Sequence, residues 1–301
     1  METQDNLKGI LWMMAAGLLF VAVTVLVRHL GSSLPAVQAA FIRYSIGLAM
    51  LVPLMFRMHW RSVRGAKLGI YTLRGLAHGA AVMLWFYAMA RIPIAEVTAI
   101  GYTTPIFTAV GAILIFGERI HVRRMLAIAA GFLGTLIILR PGFQSISLGS
   151  LAQLTAAPCF AISFLFAKQL TRTENSTDIL VMLSIGCTLT LLPGAVLNWH
   201  PPTLAEYFYL FLVAIFATAG HYALTRSFSR APLTVTQPYS FLQLVWAMLF
   251  GYLLFSEVPD IWVVAGGAVI VSAISYLTHR EAVARRKARA KDTDSTTNMA
   301  N

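Results

Sequence analysis

Arg43, Arg74, His78, Glu96 and His221 all fall within, or at the edge of, long apolar runs. An ionisable group in such a place needs a partner or a function. Arg74 and His78 are four residues apart, so a helix presents them on one face. A guanidinium offers a carboxylate two parallel donors, and an imidazole hydrogen-bonds a solute or accepts a proton near neutral pH. Plainer readings stand beside these. Arg43 and Arg74 each lie about two turns from a run's end, close enough to snorkel to a headgroup or to bond a neighbouring helix's carbonyls. The histidines can be satisfied buried groups. Glu96 suits a helix start, where the macrodipole favours a carboxylate, and is also a partner for Arg43. Paired haem ligation by His78 and His221 is conceivable, but two isolated histidines carry no haem motif.

A second set is aromatic and amide. Trp85 and Tyr87, Tyr102, Tyr239 and Trp246, with Gln237 and Gln243, fall toward the middle of apolar runs. Such a wall suits a flat or zwitterionic organic solute. Trp12, Trp60, Trp199 and Trp262 lie near run ends and read as an interfacial belt. Trp246 lies too deep for that. Pro105 removes a donor mid-run and bends its helix, a hinge beside any cavity. Ala127, Gly131 and Gly134, with Gly266, Gly267 and Ala268, allow close helix approach; homodimer formation is the minority reading.

Helices in lipid must hold these groups. Hydrophobic residues make up 58% of 301 and charged residues 12%, with mean hydropathy +0.72. That excess is an all-α integral membrane protein. Ten spans are expected, near 9–27, 36–56, 68–89, 94–116, 122–139, 148–167, 179–197, 207–225, 233–255 and 261–278. With the N-terminus inside, 18 of the 23 Lys and Arg face the cytoplasm. Only Arg28, Arg91 and Arg140 lie outside, so both termini are expected to be cytoplasmic. The net charge of +11 is thereby assigned to topology rather than to a nucleic-acid partner. Residues 279–301 form a basic tail suited to an anionic leaflet. No removable leader is evident before the first run. Cys159 and Cys187 lie in apolar runs and read as packing residues. The five aspartates are scattered, and there is no HExxH, P-loop or GxSxG. Metal-dependent and ATP-driven chemistry lose support, and no cofactor is expected.

The chain also repeats itself. Arg91-Ile92-Pro93 and Phe116-Gly117-Glu118 recur as Arg230-Ala231-Pro232 and Phe255-Ser256-Glu257, offset by 139 residues without a gap. Five spans per copy is odd, so the second copy, 148–278, is inverted relative to the first, 8–139. Inverted repeats in a membrane are the signature of secondary transport. The matched glutamates end their helices, at the wrong terminus for the dipole; a structural role such as tying a loop is expected, with proton coupling the less favoured alternative.

These residues resemble the drug/metabolite transporter superfamily, EamA branch. The resemblance rests on Tyr87 to Glu96 leading into Tyr102-Thr103-Thr104-Pro105, on Phe116-Gly117-Glu118-Arg119, Gly131 to Gly134 and Leu139-Arg140-Pro141-Gly142, and on Ser229 to Pro232 and Leu254 to Pro259. It spans residues 8–279. Ser256 departs from the usual glycine, a change expected to matter little, and Leu244 stands where the first copy has Pro105. The resemblance implies ten helices in two inverted five-helix repeats and a bacterial-type inner membrane, with a central cavity lined by helices one, three, four, six, eight and nine. Helix two lies outside that lining, so Arg43 is assigned a structural pair with Glu96, and Arg74 the solute. The implied activity is alternating-access movement of a small organic metabolite, with export of an amino acid or amino-acid-derived metallophore slightly favoured. Uptake of riboflavin, S-adenosylmethionine or a similar cofactor is the alternative, and a membrane enzyme or haem protein is the alternative of another class.

Overall fold

The computed structural model describes residues 2–56, 58, 66–116, 122–140, 146–170, 173–174, 176–230, 239, 242–273, 275–276, 279 and 283. Among them every regular element is a helix, as runs of Leu, Ile, Val and Phe without alternation demand in lipid. In chain order these are α1 Glu2–Leu30, α2 Ala36–Met55, α3 Ala66–Met89, α4 Ile94–Gly101, α5 Thr104–Phe116, α6 Val122–Leu139, α7 Leu148–Leu170, α8 Ser176–Leu197, α9 Leu204–Arg230, α10 Leu242–Phe255 and α11 Ile261–Ala273. Segments within α1, α2, α7, α8 and α9 are long and apolar enough to cross a bilayer, so the protein is a multi-pass membrane protein. α6, α10 and α11 contribute shorter apolar helices. α3 has 24 residues but carries Lys67, Arg74 and His78. The ninth expected span is described only from Leu242, and the Glu118 loop lies outside the described residues.

The fourth expected span is not one bent helix. It is broken into α4 and α5 at Tyr102 and Thr103, just before Pro105. Proline has no N–H to donate to Gly101, and its ring crowds that carbonyl in a continuous helix. The chain resolves this by restarting. Ile106 N and Phe107 N both donate to Thr103 O, at 2.9 and 3.1 Å, so Pro105 sits in the first turn of a new helix, where its missing N–H costs nothing. Thr103 Oγ1 donates to Ile100 O at 2.7 Å and satisfies a carbonyl at the end of α4.

Helix contacts come in pairs that exchange when the halves are swapped along the 139-residue offset. α1 packs on α9 as α3 packs on α7; α3 meets α8 as α9 meets α2; α5 meets α7 as α10 meets α1. α2 with α8, and α4 with α10, are their own counterparts. Two crossings need glycine. A Cβ on Gly75 of α3 would lie 2.7 Å from Gly186 Cα of α8. A Cβ on Gly134 of α6 would lie 2.8 Å from Gly266 O of α11. Without side chains the backbones touch directly, the packing that lipid-embedded helices favour. Gly134 and Gly266 are thus already engaged within one chain.

The main core gathers Val27, Ile42, Phe86, Met89, Ile94, Ile100, Leu191 and Val213 from both halves. Large apolar side chains also face outward, among them Leu133, Leu197 and Leu253. In water these would be a liability; against acyl chains they are the expected surface.

At one end, polar contacts close the bundle. Arg28 at the end of α1 pairs with Glu257 after α10, Nη2 to Oε1 at 2.6 Å and Nε to Oε1 at 2.8 Å. The other oxygen of Glu257 accepts the Ile94 N–H at 2.9 Å and so caps α4. Arg140 pairs with Asp260, whose Oδ1 accepts from Trp262 N at 2.9 Å at the start of α11. Ser256 turns the chain after α10 with φ 55°, in the left-handed region. The expectation that serine for glycine matters little there is therefore corrected: this backbone is one that glycine adopts without strain and L residues do not.

Candidate functional site

The site is built mainly from α2, α3, α8 and α9. These helices are apolar on most faces, so burial of a few polar residues is dictated by where neighbouring helices leave room. Arg43 and Tyr44 of α2, Ser184 and Leu180 of α8, and Thr218 and His221 of α9 line a narrow recess of about 20 Å³. Gly47 opens its α2 wall toward Thr218. The recess draws on both halves, and Arg43 lies seven residues into α2, roughly 10 Å from that helix end at 1.5 Å per residue.

Tyr44 connects the recess to α3. The Arg43 guanidinium stacks over the Tyr44 ring, 4.1 Å from its centroid. The ring meets His78 edge-on with centroids 6.3 Å apart. His78 is buried, its Nδ1 3.0 Å from Ser163 Oγ of α7 and its ring 5.2 Å from Phe160. Arg74, one turn earlier on α3, is also buried, with Nη1 donating to Ile179 O of α8 at 3.0 Å. Its Nε has no partner among the described residues, and neither has the Tyr71 hydroxyl on the preceding turn. His78 lies within electrostatic reach of Arg74, His221 and Arg43, and His221 within reach of both arginines. His221 also packs edge-on against Phe20 of α1, centroids 5.1 Å apart.

Arg43 and Glu96 do not form the expected ion pair. Glu96 Oε1 accepts from Ser150 Oγ at 2.6 Å and lies in a separate recess of about 190 Å³ with Arg140, Glu257 and Asp260. Arg43 instead faces His221. The error was one of azimuth: a uniformly apolar helix does not disclose in sequence which flank meets its neighbour.

The aromatic set is dispersed. Trp85 packs edge-on against Phe86, at 5.4 Å, on the rim of the main core, where Tyr87 and Tyr102 also lie. Trp246 is half-buried and tilted against Phe250 at 6.5 Å. Gln243 is half-buried, Tyr239 is exposed, and Gln237 lies outside the described residues. None of these side chains lines the Arg43–His221 recess. Pro105 is placed by its backbone at the start of α5. Trp199 and Trp262 are exposed near helix ends, the position of an interfacial belt.

Sequence reasoning missed Tyr44 and Ser163 as partners, and the Arg28–Glu257 and Arg140–Asp260 pairs. The signal for the pairs was available: Arg28 and Arg140 are exceptions to the basic-inside pattern, and Glu257 and Asp260 lie at the same expected level.

Among known proteins, a riboflavin transporter of Brucella anthropi is 31% identical over 92% of this chain and 100% of its own. An S-adenosylmethionine uptake transporter of Rickettsia bellii is 26% identical over 93% of this chain and 96% of its own. The pseudopaline exporter CntI of Pseudomonas aeruginosa is 29% identical over 91% and 97%. A crystal structure of another protein superposes with TM-score 0.60 at 15% identity, covering 92% of this chain and 97% of that one, a likeness of fold alone. Residues 7–140 and 147–278 each match one family, and the chain belongs to it: the EamA-like transporter family.

Proposed function

We propose that the protein is a secondary transporter that moves a small organic metabolite through a central site by alternating access. In this reading ten spans form two inverted repeats, residues 8–139 and 148–278, in a bacterial inner membrane. Both termini are cytoplasmic, and residues 279–301 are a basic tail. The paired helix contacts support the repeat, and the two outer arginines engaged by Glu257 and Asp260 support the orientation by giving those exceptions local roles.

One observation carries the functional reading. Arg74 is buried beside Tyr44 and His78, and its Nε is left without a partner among the described residues. A guanidinium in that setting favours a carboxylate on the cargo. Amino acids and amino-acid-derived metallophores meet that requirement, and export is the favoured direction. His221 and the half-buried Trp85, Tyr102, Gln243 and Trp246 are proposed as further cargo contacts made when the halves part, together with Gln237 and Tyr239, and Pro105 marks the hinge. A second reading, uptake of a cofactor, is favoured by the names of the Brucella and Rickettsia relatives.

A thermal-unfolding screen of the purified protein against amino acids, metallophores, riboflavin and S-adenosylmethionine tests this, since a ligand of the folded state raises the midpoint by mass action. Carboxylate-bearing compounds should stabilise it, and the stabilising compound should move across proteoliposomes. Stabilisation without flux would contradict transport.

A further inference from the structure

The structure assigns a second arginine to the same site, and we infer that the cargo class is a dianion rather than a singly charged or neutral solute. This rests on the central-site reading above and goes further than it. Arg43 was expected on the structural side of the bundle; instead it lines the recess with His221 and Ser184 and stacks over Tyr44. Arg74 stands beyond Tyr44 on α3. Among the described residues neither guanidinium pairs with a carboxylate, while Arg28, Lys67 and Arg140 all do. No acidic side chain lines the recess. Arg74 is buried and Arg43 half-buried, and guanidiniums inside a membrane protein with no carboxylate partner among the described residues carry a desolvation cost that is greatest for Arg74. Two carboxylates, or one phosphate, supply the missing charge in a single molecule. The imidazoles of His78 and His221 add hydrogen-bonding capacity without negative charge. The recess holds about 20 Å³, room for roughly one water molecule and far below the roughly 300–1,000 Å³ of a ligand pocket, so it is closed to cargo in this conformation. Its narrowness implies that cargo is admitted when α2 and α9 move away from α8.

The test uses matched probes on the purified full-length protein in chloride-free buffer. Succinate is compared with butyrate, and riboflavin 5′-phosphate with riboflavin, by thermal unfolding titrated to millimolar concentration. The first pair reports two carboxylates, the second a phosphate. At least one dianion should bind at least tenfold more tightly than its matched partner. Arg43→Gln and Arg74→Gln should each abolish that preference. Arg43→Gln without ligand should be at least as stable as wild type, because an uncompensated charge has gone; a structural arginine would give the reverse. If Arg43→Gln does not fold, Arg43→Lys keeps the charge and should keep the preference with weakened binding. Equal binding within both pairs, no saturable shift with either dianion, or a preference that survives both glutamine variants overturns the dianion assignment. If riboflavin itself is carried across proteoliposomes by wild type and both variants alike, transport stands and the two-arginine site falls.

Discussion

Glu257 is the most connected polar side chain at the closed end, and its removal can be worked through. Its carboxylate is mostly buried, 12% exposed, and Arg28 is 21% exposed. It accepts two contacts from Arg28 and one from the Ile94 amide. Glu257→Gln removes the charge, leaves one acceptor for two donor groups, and turns an NH2 toward one of them. A hydrogen bond to a charged group contributes about 1.5–3 kcal/mol, and an N-cap about 1 kcal/mol. Partial exposure discounts the ion pair toward the lower figure. The single substitution should therefore cost about 2–3 kcal/mol. Arg28→Met should cost about as much, roughly 2–3 kcal/mol, because it leaves the mostly buried Glu257 carboxylate with the Ile94 amide alone. In a double-mutant cycle the two should couple by about 1–2 kcal/mol. Equilibrium unfolding of the purified protein in detergent gives all four corners. Coupling below about 0.3 kcal/mol would show that the pair contributes no more than a solvated surface contact and would refute the reasoning. The same contacts join α1, α4 and α10, so the variant should also expose that end more often. A cysteine at Ala95, in the neighbouring recess, should label faster with a membrane-impermeant maleimide.

Ser256→Gly should stabilise the protein by about 0.5–1 kcal/mol, since the residue holds φ 55° and glycine adopts that region without the L-residue penalty, less some entropy of the unfolded chain; a lower unfolding midpoint would contradict the assigned turn. Gly75→Ala should cost about 1–3 kcal/mol and reduce yield, because the new Cβ meets the backbone of Gly186 rather than a side chain that can move. Gly69→Ala, with nothing within 4 Å of its Cβ, is the control and should be close to neutral. Reporter fusions after Lys8 and after Arg280 should both report the cytoplasm, and an external signal from either would remove the inverted-repeat reading.

Much of the scaffold was legible because lipid imposes simple rules. Long apolar runs had to be helices, and the offset that aligns Arg91 with Arg230 and Glu118 with Glu257 also organises the helix contacts. The loop-tying role expected for Glu257 is visible in its bonds to Arg28 and Ile94, while Glu118 lies outside the described residues. Depth along a helix was readable too: Arg43, Arg74 and His78 lie well within their helices. Rotation about the helix axis was not. Arg43 is one residue from buried Ile42 and Tyr44 on a helix apolar nearly all round, so only the placement of α8 and α9 decides that it meets His221 and not Glu96. Proline marked the right turn at Pro105, but whether the helix bends or stops depends on Thr103 taking up Ile100 O and founding the next helix. The departure at Ser256 was visible as a residue type, and its consequence only as a dihedral angle.

The central claim is that Arg74 recognises the cargo of a transporter. The direct measurement is flux of the stabilising metabolite into or out of proteoliposomes by wild type and by Arg74→Lys, at equal folded protein. Lysine keeps the charge but loses the planar fork and the Nε donor. The account predicts that Arg74→Lys folds with a near-normal unfolding midpoint and loses at least tenfold in flux. Normal flux in Arg74→Lys, with Arg43→Lys stable and inactive, would contradict it and make Arg43 the principal cargo residue.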